Sequence, residues 1–575
     1  MATAVSRAPV SGAAAPGGPA VRQRLAGDEW IARGGLVTLA LWLTVTLALP
    51  LWALLSKSFQ NRDGAFIGLA NYITYFSTPS LFVSFWNSIS VAVVTTAIVV
   101  PGTFVYAYAL TRSGMRGKSV FAGLALIPIL APSLLQAIGL IYLFGNQGLV
   151  RGLLFGNSIY GSLGIVIGEA IYCFPHALMI LVTALSTADA RLYESAEALG
   201  ASPPRIFVTV TLPGVKYGLL GTALVVFTLV MTDFGIPKVI GGRFNVLATD
   251  VYKQVIGQQN FAIGAVVGLL LLVPAVLAFA AERLVQRRQT ALLTARAVPF
   301  VPKPNRVTDW LLFAFCAVIV VPVVGLLAVA AWGSFIKFWP YDLSMSLRNY
   351  AFTNFDAQGW SSYFNSLRMA AWTAVIGTAV IFSGAYLLEK TRGFPVVRAL
   401  AQLFAMLPLA VPGLVLGLGY IFFFNDPRNP LGFLYGTLAI LVINTVAHYY
   451  TVSHLTATTA LKQLDNDFEA VSASLKAPFY RTLWKVTVPV CLPSILGISV
   501  YMFVNAMTTV SAAIFIYVPS TKLASIAIVN MDDAGQTAAA AAMGVMIVIT
   551  SAAVRVVHLA ATRVLDRRTQ AWRRR

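Results

Sequence analysis

Residues able to do chemistry are few in this chain, and their spacing argues against catalysis. The four histidines, His176, His448, His454 and His558, are scattered and form no metal-ligand spacing. Cys173, Cys316 and Cys491 lie in or against apolar segments, which reads as small buried residues and not as disulfides or metal ligands. The stretch Gly114-Met115-Arg116-Gly117-Lys118-Ser119 contains a Gly-Lys-Ser. A phosphate-binding loop, however, needs a glycine five residues before the Gly-Lys pair, after a buried strand. That position is Arg112, at the end of a long apolar run. No hydrolase, kinase or metal constellation survives, and no cofactor is expected on this chain.

Polar residues inside the apolar runs are a better clue, because they are costly in lipid and usually face a pathway or a neighbouring helix. The fourth run carries Glu169 and His176, and the tenth carries Asn444 and His448. The fifth carries Thr228, Thr232 and Asp233, and its counterpart Asn505, Thr508 and Thr509. Glu169, Thr232, Asp233, Asn444, His448, Asn505 and Thr508 are therefore expected near a translocation path. The alternative for each is an interhelical hydrogen bond alone.

A different chemistry is suggested by a polar island over 190–213. Leu192, Tyr193, Ala196 and Leu199 fall on one stripe of a short helix, with Glu194, Ser195 and Glu197 off it. Gly200 sits where a helix would end in a left-handed residue. Ser202 and Pro203 read as an N-cap and first-turn proline of a second helix, and Pro213 marks the start of the next apolar run. A second island, 466–489, repeats the plan. Aligning Pro489 with Pro213 puts Leu475 on Leu199 and Phe468 on Leu192. It also puts Ala470 in place of Glu194 and Lys476 in place of Gly200, with Glu469 one position away, so unequal docking of the two islands is expected.

The first island resembles the coupling motif of permease subunits of bacterial ABC importers: Glu194-Ser195-Ala196, Gly200, Val210, Leu212 and Pro213 fall on its fixed spacing. The resemblance implies that ATP is hydrolysed by a separate dimeric ATPase. Each short helix would sit in a groove of one ATPase protomer, burying Leu192, Tyr193, Ala196 and Leu199 (and Phe468, Leu475) there or presenting them to its own bundle. Glu194 would hold the turn together or meet a basic partner. An extracytoplasmic solute-binding protein would deliver the cargo.

The elements that must position these residues are membrane spans. The chain has 575 residues, 58% hydrophobic and 11% charged, against about a quarter charged in a water-soluble protein. The net charge of +20 does not argue for nucleic acid. Basic residues cluster at one end of successive apolar runs, as in Arg283-Arg287-Arg288 and Arg573-Arg574-Arg575, which is the positive-inside pattern of a chain in contact with anionic lipid. This rule puts both termini and both islands on the cytoplasmic side.

Twelve spans are expected, near 36–56, 87–110, 119–144, 162–185, 217–238, 262–281, 309–333, 366–388, 397–424, 433–460, 492–516 and 540–562, each close to or above the ~20 apolar residues a bilayer needs. Pro128, Pro132, Pro408 and Pro412 are read as interruptions that a helical bundle tolerates. The halves repeat: Asn71-Tyr72 recurs as Asn349-Tyr350, Asn87-Ser88 as Asn365-Ser366, and Gly139 as Gly419. Six spans return the chain to its starting face, so the repeats are parallel. The fold expected is an all-α polytopic membrane protein. Its parts are a disordered tail (1–34), a first permease module (35–282), a basic linker (283–308), a second module (309–565) and a basic tail (566–575).

The loop from Thr232 to Phe261 looks like that of permeases assigned to 2-aminoethylphosphonate uptake, and fused double permeases of this size resemble the ferric-iron importer group. Lys238, Arg243 and Lys253 make the outer loop basic, which suits an anionic or zwitterionic cargo. The cargo expected is therefore 2-aminoethylphosphonate, with ferric iron, a polyamine or thiamine, and an ion-coupled secondary carrier, as the alternatives.

Overall fold

The computed structural model describes residues 27–187, 189–290, 300–302, 304–391, 393–464, 467–475 and 477–569. Among them nine helices are long and apolar enough to cross a membrane, and the number is up to twelve if each of three bent pairs is one span. The chain is an all-α polytopic membrane protein. A short antiparallel hairpin, Ile336–Phe338 with Asp342–Met345, lies between the seventh and eighth crossings.

Several boundaries differ from the expectation. The first helix begins at Gly27, so 27–34 is helical, while 1–26 lies outside the described residues. The sixth helix, Phe261–Thr290, runs on through Arg283 into the stretch expected to be a linker, and the seventh begins at Arg306. The last helix extends to Thr569, and 570–575 lies outside the described residues. The fifth span is not 217–238: one helix covers Pro203–Thr232, and Asp233 then turns extended (φ −68°, ψ 137°).

The prolines of the third and ninth spans do more than interrupt. Lys118–Leu130 meets Ser133–Phe144 at 104°, and Pro395–Leu409 meets Gly413–Phe424 at 119°. Proline pushes its preceding residue out of the helical region, and Ala131, before Pro132, is extended (φ −104°, ψ 138°). The tenth span bends by 56° between Leu438–His448 and Tyr450–Lys462, with no proline at the break.

The landmarks of the duplication make the same bonds in both halves. Asn71 Nδ2 donates to Ser58 O and Gln60 O (2.8 and 2.9 Å), and Asn349 Nδ2 to Ser334 O and Ile336 O (3.0 and 2.7 Å). Ser88 Oγ accepts from Leu247 N, and Ser366 Oγ from Ala524 N, each at 2.8 Å.

The halves are also interlocked. Each half's first helix packs against the bent third crossing of the other half. Nearby, Trp42 of the first helix meets Tyr450 of the tenth crossing at a tilt (5.8 Å between rings), and Phe313 of the seventh meets Phe121 of the third edge-on (5.1 Å). Gly139 and Gly419 permit the two contacts. A Cβ at Gly139 would lie 2.7 Å from the carbonyl oxygen of Leu326, and one at Gly419 would lie 2.7 Å from that of Pro50. Such approach is what small residues allow at membrane helix crossings.

Candidate functional site

The first island forms the helix Ala190–Ala198. Asp189 caps it by accepting from Arg191 N (3.1 Å). Gly200 ends it with φ +73°, and Gly200 N→Glu197 O (2.9 Å) and Ala201 N→Ala196 O (3.0 Å) satisfy the last carbonyls. Glu194 is exposed and takes no part in these turn bonds. Ser202 occupies the next N-cap position, yet its side chain makes no capping bond.

The apolar stripe splits by function. Tyr193 is buried against its own bundle. Its hydroxyl donates to Thr211 Oγ1 (3.1 Å) and its ring meets Phe300 (4.7 Å). The Arg112 guanidinium lies 4.9 Å over the Tyr193 ring and donates to Leu185 O (2.7 Å). Ala196 is half-buried, Glu197 is exposed, and Leu192 and Leu199 are 58% and 88% exposed. Leucines this open on a short helix mark a surface that a partner would cover.

The second island forms Asp467–Ser474, again with its apolar residues outward: Phe468 is 45% and Leu475 is 74% exposed. Its hold on the bundle is different, since Thr482 Oγ1 donates to Ser472 Oγ (3.0 Å) where the first island uses a tyrosine. The side chains of Glu469 and Ala470, and Lys476 as a whole, lie outside the described residues. Pro213 and Pro489 stand in matching places. Each follows a five-residue π turn, Phe207–Thr211 and Leu483–Thr487, inside one continuous helix. A proline lacks the N–H and crowds the carbonyl four residues back, and the wider turn relieves that clash.

Between the halves, a cavity of about 90 Å³ opens where the fifth and eleventh helices end. Three of the seven expected path residues line it: Asp233, Asn505 and Thr508. Asp233 accepts from Ser133 Oγ (3.0 Å) and, as a cap of the short helix Gly235–Ile240, from Ile236 N (2.8 Å). Its sequence counterpart Thr509 also ends its helix in extended backbone and lines the same cavity.

The other four stand behind the wall. Glu169 is fully buried and hydrogen-bonded to Asp233, so the two acids hold a proton between them. Asn444 Nδ2 donates to Ala512 O (2.7 Å), an interhelical tie. His448 packs on Tyr449 (4.5 Å), and Thr232 bonds its own helix at Thr228 O (2.9 Å). Sequence reasoning passed over Ser133 and Tyr449, both lining residues. Ser133 was signalled by its place directly after Pro132. Tyr449 lies at the proline-free bend of the tenth span, which has no mark in the sequence.

The segments that follow the fifth and eleventh helices are tied within the chain. Lys238 Nζ pairs with Asp533, Lys253 Nζ donates to Asn245 Oδ1, and Lys522 Nζ pairs with Asp356 (2.7 Å).

Comparison with known proteins agrees with this geometry. The family described as "Binding-protein-dependent transport system inner membrane component" matches residues 98–291 and again 381–571, beginning in each half after the interlocking first helix. The ferric transport system permease protein FbpB of Actinobacillus pleuropneumoniae is 28% identical over 553 residues, 92% of this chain and 78% of that protein. The Fe(3+)-transport system permease protein FbpB 2 of Haemophilus influenzae is 23% identical over 90% of this chain and 96% of its own length. The spermidine/putrescine transport system permease protein PotB of Escherichia coli K12 is 25% identical and matches 41% of this chain with 94% of itself. With the family covering more than half of the chain in two tandem copies, on a helical frame of nine to twelve crossings, the chain belongs to the binding-protein-dependent transport system inner membrane components, as a fused two-module permease of an ABC importer.

Proposed function

We propose that this permease carries ferric iron across the inner membrane, powered by a dimeric ATPase and supplied by an extracytoplasmic binding protein. The observation that carries the cargo reading is likeness along the whole chain to ferric permeases, in contrast to the half-length match to polyamine permeases. The ATPase would dock on the face bearing the two islands, with Leu192, Leu199, Phe468 and Leu475 covered by it. Glu194 and Glu197 would meet its basic residues, and Gly200, Pro213 and Pro489 would fix the angle of each lever. Tyr193 and Ala196 would transmit the push to the bundle. ATP would be bound by that subunit, with no cofactor on this chain. Both termini would share the docking face, which is cytoplasmic by the positive-inside rule.

The phosphonate reading rested on the likeness of the loop from Thr232 to Phe261 to that of phosphonate permeases, with the basic residues of that loop as an added argument. Lys238 and Lys253 are both engaged within the chain, which leaves Arg243 as the remaining cation of that argument. A pull-down of the detergent-solubilised chain from its native membrane, with subunit identification and an ATPase assay, tests the importer reading. Recovery of the chain alone, with ion-driven uptake in ATP-free vesicles, would establish a secondary carrier instead. Uptake of radioactive iron against 2-aminoethylphosphonate then decides the cargo. Protection of terminal tags from protease added outside spheroplasts tests the orientation.

A further inference from the structure

We infer that the cavity between the loop Gly114–Arg116 and the start of the seventh helix binds an anionic phospholipid by its headgroup. The cavity measures about 710 Å³, with Met115 and Arg116 on one side and Pro304, Arg306, Trp310 and Phe313 on the other. The loop belongs to the first half and the helix to the second, so a molecule seated here touches both. The inference is independent of the cargo and of the ATPase.

Asp309 builds the cavity. Its two oxygens accept from Gly114 N (2.7 Å) and Asn305 N (3.2 Å), which fastens the loop to the helix start. A Cβ at Gly114 would lie 2.8 Å from Asp309 Oδ2 and 3.0 Å from Pro304 Cα, so glycine is what allows this approach. Both oxygens of the lining acid are thus engaged by backbone donors, and the Lys118 charge acts on it as well. Arg116 and Arg306 differ. Both are exposed, and neither has an ion-pair or hydrogen-bond partner among the described residues. Two unmatched guanidiniums on one cavity, beside an acid already bonded, leave a positive site of the geometry that grips a phosphate from two sides.

The seventh helix supplies the second observation. Val307, Trp310, Leu311, Val318 and Val321 recur at helical spacing on one stripe and are 65–71% exposed. The stripe runs along a helix that is apolar enough to cross the membrane. Trp310 belongs both to it and to the cavity wall, at the level where aromatic rings mark the membrane interface. A free anion would use the arginines alone. A phospholipid would use both features, with its headgroup in the cavity and an acyl chain along the stripe. The matching junction of the second half, where the first helix passes the loop before the ninth crossing, is closed by its own cations. Arg33 lies 5.0 Å over the Phe394 ring, and Arg398 donates to Leu388 O and Thr391 O. One bound lipid per chain is therefore expected.

The test uses the full chain in nanodiscs of equal parts phosphatidylglycerol and phosphatidylcholine. Native mass spectrometry after release from the disc counts the phospholipid retained, and the readout is the ratio of phosphatidylglycerol to phosphatidylcholine. The parent protein is expected to retain one phosphatidylglycerol in preference. Arg116→Gln/Arg306→Gln is expected to lower the ratio about tenfold, since each basic side chain beside an anionic headgroup adds severalfold to its retention. Arg116→Lys/Arg306→Lys should keep part of it. Arg283→Gln, which removes a cation that lies over Phe279 and outside the cavity, should leave the ratio at the parental value. A parent without preference, an unchanged ratio in the double glutamine variant, or an equal loss in Arg283→Gln would overturn the inference. Displacement of the phosphatidylglycerol by inorganic phosphate or ATP would also overturn it, by showing a site for a soluble anion.

Discussion

Lys238 Nζ lies 2.9 Å from Asp533 Oδ1, and the two residues belong to opposite halves of the duplicated chain. Lys238 is largely buried, 4.9 Å over the Tyr252 ring, while Asp533 is about half exposed. Exposure of one partner limits such a pair to on the order of 1 kcal/mol, a contact that can break in each cycle. Lys238 lies in the short helix after Asp233, and the pair ties that helix to Ala524–Asp533 of the other half. In a Lys238→Cys/Asp533→Cys protein, a reducible thiol cross-linker should arrest uptake at least tenfold, and reductant should restore it. Uptake that continues while the cross-link is intact would show that these segments do not separate.

The helix Ala190–Ala198 gives a second prediction. A Cβ at Gly200 would meet nothing within 4 Å, so a substitution there is opposed by the backbone alone. A β-branched residue at φ +73° costs roughly 1–2 kcal/mol, enough to redirect the chain after Leu199. Gly200→Val should abolish uptake while the protein remains in the membrane, and Glu194→Lys should do the same by charge. Transport at parental rates in both variants would remove the lever assignment. Changes at Ala470 and Lys476 should do less, and an equal loss would show that the two islands dock alike.

Interlocking of the halves can be tested at Gly139 and Gly419. With a Cβ 2.7 Å from a backbone oxygen in each case, Gly139→Val and Gly419→Val must push apart helices that cross between halves. Steady-state protein in the membrane should fall severalfold for each. Gly214→Ala, where a Cβ meets nothing, is the control expected to stay at parental level.

A pH effect follows from Asp532, which lies in the short helix Ala524–Asp533 between the last two crossings. Burial, and then the neighbouring Asp533 charge, push its carboxyl up to about 6. The fold thus favours the neutral acid, and the penalty is present in full above pH 6 and absent below the ordinary carboxylate range. Stability should therefore fall as pH rises from 4 to 6. A rise of roughly two units sets an upper bound of about 3 kcal/mol. Asp532→Asn should raise the melting temperature of the solubilised protein at pH 7.5 and leave it unchanged near pH 4. An equal shift at both pH values would place the effect elsewhere.

The importer architecture was legible because it is written locally. Span length, basic flanks and a short amphipathic helix ending in Gly200 depend on neighbours in sequence. The Asn71-Tyr72 and Asn349-Tyr350 landmarks were legible because a duplicated backbone needs the same side-chain ties twice. Asp233 was recognisable as a costly acid in an apolar run.

Its role as a helix cap was not recognisable, because the donors, Ile236 N and Ser133 Oγ, come from a turn and from a distant kink. Nor could the sequence separate Asp233, Asn505 and Thr508, which face the cavity, from Glu169, Asn444, His448 and Thr232, which stand behind it. Both groups look alike as polar residues in apolar helices, and only the rotation and crossing of those helices sort them. The exchange of first helices between halves was equally hidden. Its cause is close packing at Gly139 and Gly419, and a small residue in a sequence does not name the helix that will press against it. The sequence by itself determined the apolar helices, the duplication and the two short helices of the polar islands through periodicity and local turn chemistry. The tertiary structure alone decided which residues meet across the halves, because those contacts join segments far apart along the chain.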